Sequence, residues 1–179
     1  MPGASAQQTI GPFWHVLEED DWADLTRFGA DGPKLILRGR ITDGDGAPVT
    51  DACVEIWQTS PAPAEDFPGW GRCATDGNGH YQMVTFLPGQ AAHVSVMIHA
   101  RGLLKPLMTR AYFEHHPMLE HDAVLRAVDP ARRATLMAKP PPPLGEGWGG
   151  GENPEPGGED VLQFDIRLQG ENETVFFEI

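Results

Sequence analysis

Hydrophobic and polar residues alternate with a period of two in several segments of this chain, the spacing of strands that bury one face. Between positions 92 and 101 the alternation is strict. Val94, Val96, Ile98 and Ala100 fall on one side, and His93, Ser95, Met97, His99 and Arg101 on the other. Residues 35–41, 53–58, 81–86, 109–113 and 162–168 predict further strands; in 53–58, Val54 and Ile56 oppose Glu55 and Trp57. Asp43-Gly44-Asp45-Gly46-Ala47-Pro48 and Asp76-Gly77-Asn78-Gly79 predict turns, since these residues tolerate left-handed backbone. Gly170-Glu171-Asn172-Glu173 predicts another, folding 162–168 back onto 174–177 as a hairpin.

Helical signals are sparse. Asp129-Pro130-Ala131-Arg132-Arg133 predicts a short helix with Asp as cap and Pro at the first helical position. Residues 139–160 hold six Pro and seven Gly around Trp148, which predicts a long loop. Many short strands separated by turns predict an all-β sandwich with long loops and one or two short helices. The expected division is an N-terminal arm and lead-in over 1–34, then the sandwich over 35–179 with 139–160 as an excursion.

A chain of 179 residues suffices for one domain with a sizeable core, and 40% apolar content is that of a soluble globular protein. No run approaches a membrane span, which argues against a membrane protein. The N-terminus shows no charged-then-apolar leader, so cytoplasmic residence is expected. Cys53 and Cys73 form no Cys-x-x-Cys motif and read as buried, reduced thiols. The net charge of -13, with no basic patch, argues against nucleic acid as a partner. A local Arg can still capture a small carboxylate in such a protein.

The polar face of the 93–101 strand carries more chemistry than a structural strand needs, so it is expected to look onto a site or an interface. His93 is the candidate ligand there, although a lone imidazole is far more often packed or hydrogen-bonded than metal-bound. His115, His116 and His121 approximate a metal-ligand spacing without a completing Cys or carboxylate, and are expected in a solvated loop. Glu18-Glu19-Asp20-Asp21 is expected to form a solvated acidic face or a helix start. The two tyrosines, Tyr81 and Tyr112, are expected to be structural.

Residues 39–57 and Thr75-Asp76-Gly77-Asn78-Gly79-His80-Tyr81 resemble the opening hairpins of transthyretin-like sandwiches, a likeness of fold and not of function. Three segments are more specific: Gln8-Thr9-Ile10-Gly11-Pro12-Phe13, Phe67-Pro68-Gly69-Trp70-Gly71-Arg72, and 165–177. With 93–101 and Thr109-Arg110-Ala111-Tyr112-Phe113, they resemble the α chains of the protocatechuate 3,4-dioxygenase family of intradiol ring-cleaving enzymes. The resemblance covers most of the chain outside the Pro/Gly segment and part of 17–34.

That resemblance implies an intradiol dioxygenase-type sandwich and chemistry divided between two chains. Fe(III) would be held by two Tyr and two His of a protocatechuate 3,4-dioxygenase β subunit. Protocatechuate would bind that iron and react with O2, opening to 3-carboxy-cis,cis-muconate. The catalytic chains carry His-x-His on the strand matching His93; here the second position is Ser95. They carry Tyr just before that strand and in the loop after the strand of Trp57; here 87–92 and 59–66 contain none. One of four ligands remains, so His93 and Ser95 mark a vestigial metal position and this chain is expected to hold no metal.

The implied contribution of this chain is its arm. Thr9, Gly11, Pro12 and Phe13 match arm residues that line the β subunit's iron site. Gly11 permits close approach and Pro12 gives a rigid wall, while Phe13 stands where the family usually has Tyr. Arg101 matches an arginine near the same pocket, where it would attract the substrate carboxylate or form an ion pair across the subunit interface. Two other readings stay open: an iron enzyme in its own right, with a ligand set including His93, and a transthyretin-like binding module without an enzymatic partner.

Overall fold

The computed structural model describes residues 9–11, 14–141 and 160–178; Pro12, Phe13 and 142–159 of the Pro/Gly excursion lie outside them. Six strands come first: β1 (Lys34–Thr42), β2 (Cys53–Trp57), β3 (Trp70–Ala74), β4 (His80–Phe86), β5 (His93–His99) and β6 (Leu107–Phe113). A single five-residue α-helix among the described residues, α1 (Ala123–Ala127), precedes β7 (Met137–Ala138), β8 (Asp160–Gln163) and β9 (Ile166–Arg167).

The strands form two mixed sheets. In one, β4 and β8 flank β1, with β9 also pairing with β1; in the other the order is β3-β2-β5-β6-β7. The inner faces meet in one core. Leu35, Leu37 and Ile41 of β1 and Tyr81 and Met83 of β4 share it with Val54, Ile56, Val94, Val96 and Ile98. Strict alternation does in β5 what it predicts, every second residue being buried, and burial alternates in the same way in β1 although Leu35-Ile36-Leu37 is an apolar run. The lead-in is not detached from this core, because Leu25 is fully buried in it.

The C-terminal reading needs correction. The predicted strand over 162–168 follows β1 in one register, with Arg38 opposite Gln163 and Ile41 opposite Ile166. The ladder breaks between them because side chains take over its bonds. The Tyr81 hydroxyl donates to Phe164 O at 2.6 Å, and Arg40 N donates to the Asp165 carboxylate at 2.9 Å. The expected hairpin is reduced to one residue pair: Thr174 N donates to Arg167 O at 3.0 Å, and Arg167 N donates to the Thr174 hydroxyl at 3.0 Å. Beyond it the chain crosses to the other sheet, where Phe177 bridges to Met108 of β6.

The helix prediction also moves. Asp129 and Pro130 open a turn, closed by Arg132 N donating to Asp129 O at 2.8 Å, and a 3-10 segment follows at Arg133–Leu136. The α-helix lies earlier, capped by Asp122, whose side chain accepts from Leu125 N. The acidic run 18–21 leads into another 3-10 turn, Asp20–Ala23.

Candidate functional site

Directly opposed residues of neighbouring strands share a face. The outward face of the five-stranded sheet is thus set by register. His93 stands opposite Tyr112, Ser95 opposite both Trp57 and Arg110, Met97 opposite Glu55 and Met108, and His99 opposite Cys53. The polar face predicted from the sequence is real and continues sideways onto β2 and β6.

At its upper end four groups meet. His93 Nδ1 lies 3.4 Å from Asp122 Oδ2, with the His93 and Tyr112 rings 5.0 Å apart. The Tyr112 hydroxyl donates to Asp122 Oδ1 at 2.9 Å and accepts from the Arg110 guanidinium at 3.2 Å. Arg110 also reaches Asp122 Oδ2 at 3.4 Å. Asp122 caps α1, receiving the Leu125 N–H at 2.8 Å, so β5, β6 and α1 are tied through one carboxylate.

The electrostatics follow from this packing. Burial, and then the Arg110 charge, push the His93 imidazole down to about 4 against the pull of Asp122. Burial raises the Tyr112 phenol to about 12. Burial works against the Asp122 charge, but the Leu125 N–H, the Tyr112 hydroxyl, His93 and Arg110 outweigh it and lower its carboxyl.

A pH dependence results. Unfolded, His93 protonates near pH 6.5; folded, it stays neutral down to about 4. Between these values the unfolded chain binds a proton that the folded chain does not, so stability falls as pH drops from about 6.5 towards 4. The loss attributable to His93 is up to about 3 kcal/mol. His93→Gln cannot titrate and should flatten this slope in urea unfolding between about pH 7 and about pH 4.5; an unchanged slope would assign it elsewhere.

This donor set does not fit a ferric centre of two phenolates and two imidazoles. The phenol keeps its proton and spends it on Asp122, the carboxylate is a helix cap, and a guanidinium stands beside both. Among the described residues no group of three or more His, Cys, Asp or Glu converges for a metal.

The arm and Arg101 belong to the opposite end. The six residue steps from His93 to His99 separate the two ends by about 20 Å. The Thr9 hydroxyl donates to Ala100 O at 3.3 Å, and the Trp14 indole N–H to Asp51 O at 3.3 Å. Arg101 is not on the strand face: β5 ends at His99, and Arg101 sits in the following turn, ion-paired with the Asp51 carboxylate. Gly11 holds φ +77° in open space, so its backbone conformation, and not crowding, requires glycine. The structure brings Thr9 and Arg101 together and keeps both far from His93 and Ser95. A cleft of 410 Å³ opens there, lined by Thr9, Ile10, Glu55, Arg72, His99 and Lys105 among others.

The second histidine group is not a solvated loop throughout. His115 and His121 are exposed, but His116 is buried, one ring nitrogen 2.6 Å from Pro88 O and the other accepting from Met118 N at 3.1 Å. Cys53 and Cys73 are free thiols pushed up to about 12 by burial. Tyr81 is structural, holding Phe164 O. Sequence reading missed Asp122 and the role of Arg110. The signal for Asp122 was present: an Asp directly before Ala123-Val124-Leu125 is a helix cap.

Comparison with known proteins agrees with this architecture. The sequence profile of the Dioxygenase family matches residues 11–91. The protocatechuate 3,4-dioxygenase alpha chain of Burkholderia cepacia is 35% identical over 168 residues, covering 84% of this chain and 79% of that one. The beta chain from the same organism is 27% identical over 132 residues, covering 60% and 56%. An intradiol ring-cleavage dioxygenase from Tetranychus urticae shares the fold with a TM-score of 0.60 at 16% identity, covering 96% of this chain and 98% of that one. With its two-sheet sandwich and its similarity to alpha chains over most of its length, this chain belongs to the protocatechuate 3,4-dioxygenase alpha-chain branch of the intradiol ring-cleaving dioxygenases.

Proposed function

We propose that this chain is the subunit of a protocatechuate 3,4-dioxygenase that carries no iron, and that it acts with a separate β-type chain bearing Fe(III). The substrates would be protocatechuate and O2, the product 3-carboxy-cis,cis-muconate, and the compartment the cytoplasm. The observation that carries this reading is the His93 cluster, where the imidazole meets Asp122 beside Arg110, and Ser95, opposite Arg110, offers no second imidazole. The greater identity to the alpha chain than to the beta chain supports it.

The partner's iron would hold the catechol oxygens and supply the redox chemistry. This chain's part would be to wall the shared pocket with Thr9, Gly11, Pro12 and Phe13. Arg101, ion-paired with Asp51, would offer the substrate carboxylate less net positive charge than a free guanidinium. The outward sheet face offers Trp57, 48% exposed, against Trp70 at 6.0 Å between ring centroids. An aromatic surface of this kind suits the core of an obligate interface, which typically buries upward of about 2,000 Å².

Co-expression with a Tyr/Tyr/His-x-His β-type chain tests the assignment. Co-purification with iron and ring cleavage is the expected result. Failure to co-purify removes the subunit reading in favour of a binding module, and stoichiometric iron in this chain alone would make it an enzyme in its own right. Deleting residues 1–12 should lower kcat/KM of the complex by about tenfold or more while its iron content holds. Unchanged kinetics would place the arm outside the pocket.

A further inference from the structure

Arg110 of β6 stands directly opposite Ser95 of β5, on the same outward face as His93 and Tyr112. Its guanidinium lies 3.2 Å from the Tyr112 oxygen and 3.4 Å from Asp122 Oδ2, and that same carboxylate oxygen is 3.4 Å from His93 Nδ1. The Phe177 ring closes the remaining side, 5.8 Å from the guanidinium carbon. An imidazole, a phenol and a carboxylate are donors suited to transition metals. Here they are gathered around a cation that the protein supplies itself.

We propose that the Arg110 guanidinium takes the space and the charge of a metal ion in this cluster, so that the His93 position is closed to metals by Arg110 and not only by its missing ligands. Ser95 and Arg110 are then two halves of one change. The short Ser95 side chain leaves room across the ladder for the guanidinium, and an imidazole at 95 would meet it. The charge acts in the same direction. A fixed positive charge about 4 Å from an incoming cation weakens binding by roughly 1,000-fold per unit of its charge at the effective dielectric of a protein surface. The device keeps iron out of this chain whatever chain it assembles with.

The test uses the full-length chain and Co(II), whose visible spectrum reports its ligands. Ser95→His alone restores an imidazole but keeps the guanidinium, and should gain no tight Co(II) site. Ser95→His with Arg110→Gln should bind one Co(II) per chain, roughly 100-fold or more tighter than Ser95→His alone. Adding Asp122→Asn should abolish that site. Ser95→His with Arg110→Lys keeps the charge and should not bind. If the double variant does not fold without metal, refolding it with Co(II) should recover the native circular dichroism. Tight binding by Ser95→His alone or by the Lys variant overturns the proposal, as does a double variant that neither binds Co(II) nor is recovered by it. No readout involves a partner chain, so failure of the subunit assignment leaves this outcome unaffected.

Discussion

Asp122→Ala should lower the unfolding free energy by about 2 to 4 kcal/mol, somewhat less than the loss when one partner of a fully buried charge pair is removed, because this cluster is partly buried. The carboxylate is only 14% exposed and meets four groups: His93, Arg110, Tyr112 and Leu125 N. Loss of the helix cap accounts for about 1 kcal/mol. The remainder comes from leaving the guanidinium and the phenol hydroxyl without their acceptor. Asp122→Asn keeps the shape and part of the hydrogen bonding and should cost less. A double-mutant cycle with Arg110→Gln should show strong coupling, since removing both partners leaves no stranded cation. Additive losses in urea unfolding would mean that the two residues stabilise the fold independently.

Gly39→Ala should cost more than about 3 kcal/mol and lower the melting temperature by roughly 10 °C, if the variant accumulates as folded protein at all. A Cβ at residue 39 would stand 1.9 Å from Phe164 O and 2.9 Å from the Tyr81 ring. The first obstacle is backbone, so relief requires β1 and the β8–β9 segment to separate. That movement also breaks the bond from the Tyr81 hydroxyl to Phe164 O. Tyr81→Phe, which removes only this bond, should cost about 1 to 2 kcal/mol. Gly77→Ala meets no atom within 4 Å and serves as the neutral control. Equal melting temperatures for the position 39 and position 77 variants would show that the strands yield without cost.

The strands were legible because burial on one face imposes period two, and β1 and β5 follow it without exception. The interruption at Phe164 and Asp165 was not legible. It depends on a tyrosine hydroxyl from β4 and a backbone N–H from β1, both remote in sequence. The Asp129-Pro130 signal marked a turn, but the residues after it close as the 3-10 segment Arg133–Leu136 and not as an α-helix. At the site, alternation showed that His93 and Ser95 share a polar face. It could not show that Arg101 leaves that face in a turn to meet Asp51. Nor could it bring Asp122, 29 positions beyond His93 in number, up against the imidazole, since only the β5–β6 register and the start of α1 do so.

The placement of β1 has a bearing on how the chain is made. This early strand lies between β4 and the late β8, and the last described residues then fasten onto β6 through Phe177 and Met108. Nascent polypeptide leaving a ribosome can close the β1–β4 pairing while synthesis continues, but one flank of β1 stays unpaired until the β8–β9 segment emerges. Folding that waits on such distant pairings is slow, and the open flank is a template for wrong partners in the meantime. Emergence of the β8–β9 segment, more than any earlier step, therefore gates completion of the sandwich, and a chaperone would act in that interval.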